Sequence, residues 1–258
     1  MTELEKIKRL EHYFPIIFAD MEERDFGVMF YNTANPDSHD SNHAVIINDC
    51  DYDYEKMLRE VKEFYYTKGL EPRVYASLEE GQLQIIRPHL ERAGFKVNDY
   101  GYTEYLVYNG KSAITEPYTL NFRRFNAGDD LYVFTRIFGD EDTVFRTREV
   151  VRRRASSPDY YLYIGYSDDI PVAMASFQFD EYMSARLDEV ETAEGHRGKG
   201  YARQITRYLT GVFEKQGGKL FFTWAANHTA QRVYVQGGFE VKYKLPAWSA
   251  CIEMERST

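Results

Sequence analysis

Apolar and polar positions recur along this chain with two periods, near 3.6 and near 2, and the switches between them mark its elements. Residues 3–12 set Leu4, Ile7 and Leu10 among charges, the spacing of a short amphipathic helix. Phe26 to Tyr31 and His43 to Ile47 are runs of β-forming residues and predict strands, with the polar turn region Asn32 to Asn42 between them. From Tyr54 to Lys68, Met57, Leu58, Val61, Phe64 and Tyr65 fall on one helical face, and Gly69 supplies the stop. Pro72 to Ala76 predicts a strand, and Glu79 to Ala93 a helix bent or restarted at Pro88. Lys96 to Tyr108 is extended. Asn109 to Ser112, with Pro117 soon after, marks a boundary.

The second half predicts a strand from Tyr118, helices over Leu131–Phe138 and Thr143–Arg154, and strands over Tyr161–Tyr166 and Pro171–Phe179. Leu187 to Thr192 then alternates strictly. Leu187, Glu189 and Glu191 fall on one side, and Asp188, Val190 and Thr192 on the other. A glycine-rich turn, Arg197-Gly198-Lys199-Gly200, leads into a helix carrying Ile205, Tyr208, Leu209, Val212 and Phe213 and ending before Gly217-Gly218. Lys219–Ala225 reads as a strand, Thr229–Gln236 as a helix, and Val241 onward as extended. The order helix, strand, helix, Gly-Phe, strand occurs twice, once ending at Gly94-Phe95 and once at Gly238-Phe239, which suggests two structural copies. The fold class that follows is α/β (α+β), with two lobes, each a twisted mixed sheet flanked by helices.

Composition narrows the functions. The chain has 258 residues, 43% of them hydrophobic, enough for a substantial core in one large domain or two small ones. A net charge of −9 disfavours sequence-independent nucleic-acid binding and suits a cationic substrate. Two cysteines, Cys50 and Cys251, make no disulfide framework, so a reducing cytoplasm is expected. The N-terminus is charged, and no apolar run approaches membrane-spanning length. The six histidines show no metal-ligand spacing, so no metal is expected. Arg146, Arg148 and Arg152-Arg153-Arg154 read as a solvated helix face, and Trp224 as packing. The glycine turn is different. Strand, glycine-rich turn and helix N-terminus together expose unpaired N–H groups to an anion such as a phosphate.

Those residues carry a resemblance. Arg197-Gly198-Lys199-Gly200-Tyr201-Ala202 is similar to the Gln/Arg-x-x-Gly-x-Gly/Ala signature of the GNAT acyl-CoA-dependent N-acetyltransferase superfamily, and Asn227 followed by Tyr234-Val235-Gln236-Gly237-Gly238-Phe239 to its later one. The resemblance implies a catalytic domain over 117–258. Residues 1–112 would be a degenerate GNAT-like copy, as in tandem members. That lobe is expected to close the substrate side of the cleft or to mediate self-association as a homodimer. The first copy's turn, Asn48 to Asp53, is acidic and lacks the glycine pair, which implies one cofactor site per chain.

The roles implied are these. Backbone amides from Arg197 through Gly198, Lys199, Gly200 and Tyr201 to Ala202 cradle the pyrophosphate of acetyl-CoA. Val190, Glu191 and Thr192 pair with its pantetheine arm through the main chain. Asn227 holds the cofactor arm or caps the helix that follows. Tyr234 lies by the thioester sulfur and protonates the leaving thiolate. A strand carboxylate relays the acceptor's proton. Strand parity makes Asp188 the first choice, ahead of Glu189 and then Glu191, with water as a further option. The implied activity is acetyl transfer to an amine of a small molecule or peptide, without nucleic-acid or membrane partners. An acyl-CoA-binding sensor without transferase activity is the alternative.

Overall fold

A computed structural model describes residues 1–47, 53–112, 115–139 and 141–253, the side chains of 141–147 excepted. All but Asp53 of the acidic turn Asn48 to Asp53, Cys50 included, lies outside the described residues. The elements of the first half are α1 (Glu3–Tyr13), β1 (Asp20–Arg24), β2 (Gly27–Tyr31), β3 (His43–Ile46), α2 (Tyr54–Thr67), β4 (Arg73–Tyr75), α3 (Gln82–Arg92) and β5 (Lys96–Tyr108). Then follow β6 (Asn121–Arg124), α4 (Tyr132–Phe138), α5 (Glu141–Ala155), β7 (Tyr160–Ser167), β8 (Ile170–Phe179) and β9 (Ser184–Thr192). The chain ends with α6 (Tyr201–Lys215), β10 (Leu220–Trp224), α7 (His228–Gln236) and β11 (Phe239–Cys251).

Local chemistry explains where these elements depart from the periodicity. The helix expected from Glu79 starts at Gln82, because Gly81 takes a left-handed φ of 80° at its N-cap. It is not broken at Pro88, which sits inside one continuous helix. The strand expected from Tyr118 begins at Asn121, since the amides of Thr119 and Leu120 donate to the Gln204 side chain at 2.8 and 3.3 Å. β1 has a charged sequence that gives no strand signal. It forms as the partner of β2, from Asp20 opposite Tyr31 to Arg24 opposite Gly27.

Contacts divide the chain into two compact units that are not consecutive in sequence. One comprises residues 1–10 and 104–243, the other 11–103 and 244–258. In the first, β6, β7, β8 and β9 form an antiparallel meander, β10 lies parallel to β9 across α6, and β5 closes antiparallel to β10. In the second, β1, β2 and β3 are antiparallel, β4 is parallel to β3 across α2, and the end of β11 pairs antiparallel with β4. Both ladders thus run meander, parallel crossover, antiparallel strand. Each takes that last strand from the opposite half of the sequence.

The core of the first unit lies between its sheet and α6. Phe177, Phe179, Leu187 and Phe221 meet Ile205, Leu209 and Phe213 there. The second unit buries Met29, Ile46 and Val74 against the apolar faces of α2 and α3. Burying such side chains stabilises each unit by roughly 1.5–3 kcal/mol per large residue. No helix among the described residues is long and apolar enough to cross a membrane.

Candidate functional site

The site grows from one irregularity in β9. Against β8, Leu187 faces Phe177 and Asp188 faces Ser176, but Glu191 faces Met174 and Thr192 faces Ala173. Two residues, Glu189 and Val190, therefore stand opposite Ala175, a β-bulge. Glu189 takes a φ of 54° there. Ser176 and Met174 share a face of β8, so Asp188 and Glu191 share a face of β9. Leu187 and Thr192 fall on the other face, where Val190 also packs against the core. This corrects the strict alternation. Asp188 does not share its side with Val190 and Thr192; it shares it with the other two carboxylates, since Glu189 reaches Ser176 on that same side.

Just before the bulge, β9 parts from β10. The parallel ladder holds Ser184 to Arg186 against Leu220 to Phe222. β9 then runs on to Thr192, while β10 stops at Trp224. Thr223 Oγ1 donates to Leu187 O at 2.9 Å where they diverge. The opening continues as a cleft of about 910 Å³. It is lined by Leu187 to Thr192, Arg197, Gly198, Gly200 to Arg203, Thr223, Trp224, Asn227 and Tyr234, among others. Of the expected cofactor residues, Lys199 is exposed and lies outside this lining.

The glycine turn forms the far wall. Gly198 and Gly200 have φ of 80° and 78°, left-handed values that L side chains rarely adopt. Gly200 is the N-cap of α6, and the helix's i→i−4 bonding begins with Gln204 N to Gly200 O at 3.1 Å. The N–H groups of Tyr201, Ala202 and Arg203 precede that bond and have no helical acceptor. Arg203 folds back over them, for a Cβ on Gly200 would lie 2.9 Å from its Nη2. Arg197 is braced by Nε to Thr192 O at 3.2 Å. Unpaired amides, a helix dipole and two guanidinium groups fit a pyrophosphate.

Tyr234 and Asp188 meet at the opening. Tyr234 is buried on α7 beside Phe239. Burial, and after it the charges of Asp188 and Glu191, push its phenol up to about 12, against a hydrogen bond with Thr223. It therefore stays protonated at neutral pH. Burial would raise the Asp188 carboxyl, but the charges of Arg186 and Arg154, with hydrogen bonds from Arg186 and the Glu189 amide, hold it below the usual carboxylate range. Arg186 Nη2 reaches Asp188 Oδ2 at 2.6 Å.

Glu189 is engaged on both oxygens, by Arg154 Nη1 at 2.6 Å, Tyr160 Oη at 2.5 Å and Ser176 Oγ at 2.8 Å. These contacts tie its carboxylate to α5, β7 and β8. Asn227 Oδ1 caps α7, accepting from the amides of Thr229 and Ala230 at 3.0 Å each, which leaves its amide nitrogen for the cleft.

Several site residues escaped the sequence reading. Arg154 is buried, not part of a solvated face, and Trp224 is 41% exposed on the cleft wall. By alternation from Phe222, which faces Arg186, the indole lies on the side of Asp188. Arg203 had a signal, a cation one turn into the helix after the glycines. Arg154 had none, because its partner Glu189 lies 35 residues away in sequence, whereas Arg186 stands two residues before its partner Asp188, on the same face of the strand. Among the described residues no cluster of potential metal ligands occurs.

With this geometry in hand, residues 130–239 match the Acetyltransferase (GNAT) family. No curated protein matches the chain. Among solved structures, a GCN5-related N-acetyltransferase from Kribbella flavida is 16% identical, with a TM-score of 0.70, covering 95% of this chain and 94% of its own. A functionally unknown conserved protein from Staphylococcus epidermidis is 11% identical, with a TM-score of 0.65 and coverage of 93% and 96%. A tandem GNAT protein from the clavulanic acid biosynthesis pathway is 13% identical, with a TM-score of 0.53 and coverage of 81% and 75%. At these identities the likeness is one of fold, a mixed α/β fold shared across nearly the whole chain with the first two.

Proposed function

We propose that residues 130–239 are a GNAT acetyltransferase domain that transfers an acetyl group from acetyl-CoA to an amine of a small molecule or peptide. The observation that carries the reading is the opening of β9 from β10, which joins the glycine cradle of α6 to the buried phenol of Tyr234 in one cleft. The cradle amides and Arg203 hold the pyrophosphate. Main-chain groups of Val190 to Thr192 bind the pantetheine arm. The neutral amine attacks the thioester carbonyl, the N–C bond forms, and the C–S bond breaks. Tyr234, protonated across the physiological range, gives its proton to the departing sulfur.

Asp188 acts as a fixed negative charge that favours an ammonium in the cleft, with its own basicity weakened by Arg186. Glu191, exposed on the same face, and water carry the acceptor's proton outward. The second unit is read as a degenerate copy of the same fold without a cradle of its own. The shared ladder order supports this. The protein is read as cytoplasmic, working on an amine without nucleic-acid or membrane partners.

Titration of the full chain with acetyl-CoA in a calorimeter tests the reading. A saturable heat is expected, and its absence would refute acetyl-CoA as the donor.

A further inference from the structure

Trp224 ends β10 at the cleft, and no step of the proposed function uses it. Its indole is exposed, although the neighbouring rings on its face of the sheet are buried. Phe222 stands two residues before it and Tyr105 lies opposite it on β5, their rings 6.2 Å apart. Trp224 is thus the open end of an aromatic row. Among the described residues its ring has no aromatic neighbour, no cation and no hydrogen-bond partner. A large ring left open on a concave wall offers its face to a ligand.

The carboxylates nearby say which ligand. Asp188 and Glu191 stand two ladder positions apart on β9, roughly 7 Å along the strand, on the side of the sheet where the indole lies. Asp188 is paired with Arg186, and Glu189 with Arg154. Glu191 is exposed, lines the same cleft, and has no ion pair or hydrogen bond among the described residues. An open indole face beside a carboxylate that no cation offsets attracts a cation, through the ring quadrupole and through charge. An aliphatic amine is such a cation at neutral pH, as the lysine side chain is. Building on the acetyltransferase reading, we propose that Trp224 is a specificity-determining residue: it seats the acceptor as an alkylammonium on its indole face beside Glu191, which makes aliphatic amines the acceptor class. Arylamines are uncharged at that pH and lack this contact. The seated ammonium gives one proton to Glu191 or water, and the neutral amine then attacks the thioester. Acetylation leaves an uncharged amide that loses both attractions, so the seat favours substrate over product.

The test is binding of n-butylammonium to the full chain saturated with CoA, which has no acetyl group to transfer. Ligand-observed NMR at pH 7 follows it beside two uncharged probes, 1-butanol and N-butylacetamide, and calorimetry gives the CoA affinity of each variant. The wild type should bind n-butylammonium at least about threefold more tightly than either uncharged probe. Trp224→Leu should weaken n-butylammonium roughly three- to tenfold and leave CoA affinity unchanged. Trp224→Phe, which keeps a smaller π face, should fall between the two and serves if Trp224→Leu does not fold. Equal binding of the charged and uncharged probes, no binding of n-butylammonium, or an unchanged constant in the folded variants would overturn the proposal, while a saturable CoA heat leaves the acetyltransferase reading standing. Failure of the wild type to bind CoA would overturn both.

Discussion

Burial and two neighbouring carboxylates keep the Tyr234 phenol protonated well above neutral pH. A donor in that state can serve a leaving thiolate throughout the physiological range. Tyr234→Phe should lower turnover roughly 100-fold with acetyl-CoA affinity nearly intact, as steady-state rates beside calorimetry would measure. Weakened binding with unchanged turnover would refute the acid role. Asp188 has the opposite character. Its carboxyl is lowered in the folded state, so it contributes stability above pH 3.8, lost as pH falls through the folded value. Asp188→Asn should therefore destabilise the protein at pH 7, and the gap in thermal midpoint should close as the solution is acidified below pH 3.8. The effect should be modest, since the side chain is 36% exposed and partly screened.

At the scale of elements, the bulge in β9 and the turn before α6 decide the site, and they differ in how much of each could be read beforehand. The turn was legible because only glycine takes left-handed φ cheaply, so Gly198 and Gly200 mark it in the sequence. The bulge was not, because its left-handed residue is a glutamate, and the contacts that force it come from Arg154, Tyr160 and Ser176. Alternation therefore misjudged the faces of Glu189, Val190, Glu191 and Thr192 relative to Asp188. The long helices α2 and α6 were predicted almost to the residue because an apolar stripe against one core writes a strong period. Charged β1 was missed because its strand geometry comes from pairing with β2. Gly200→Val belongs at this scale. A β-branched residue at a φ of 78° strains the cap, and its Cβ meets Arg203 over the cradle. It should abolish the acetyl-CoA heat in calorimetry, and normal affinity would count against the cradle.

On the scale of the whole molecule, the two units repeat one ladder order although the sequence repeat is weak. A parallel crossover followed by an antiparallel strand needs only short apolar runs and a helix, so unlike sequences can share it. A cradle asks for more, since it needs glycines at particular positions. Residues 130–239, the stretch that matches the GNAT family, include the glycine turn, and Asp188, Glu189, Glu191 and Trp224 line the same cleft. Acetyl transfer is tested most directly by the rate of CoA thiol release from acetyl-CoA by the full chain, measured with and without a panel of primary amines. Release should depend on at least one amine and yield its acetylated product in equal amount. Saturable acetyl-CoA binding with no amine-dependent release from any member of the panel would contradict it.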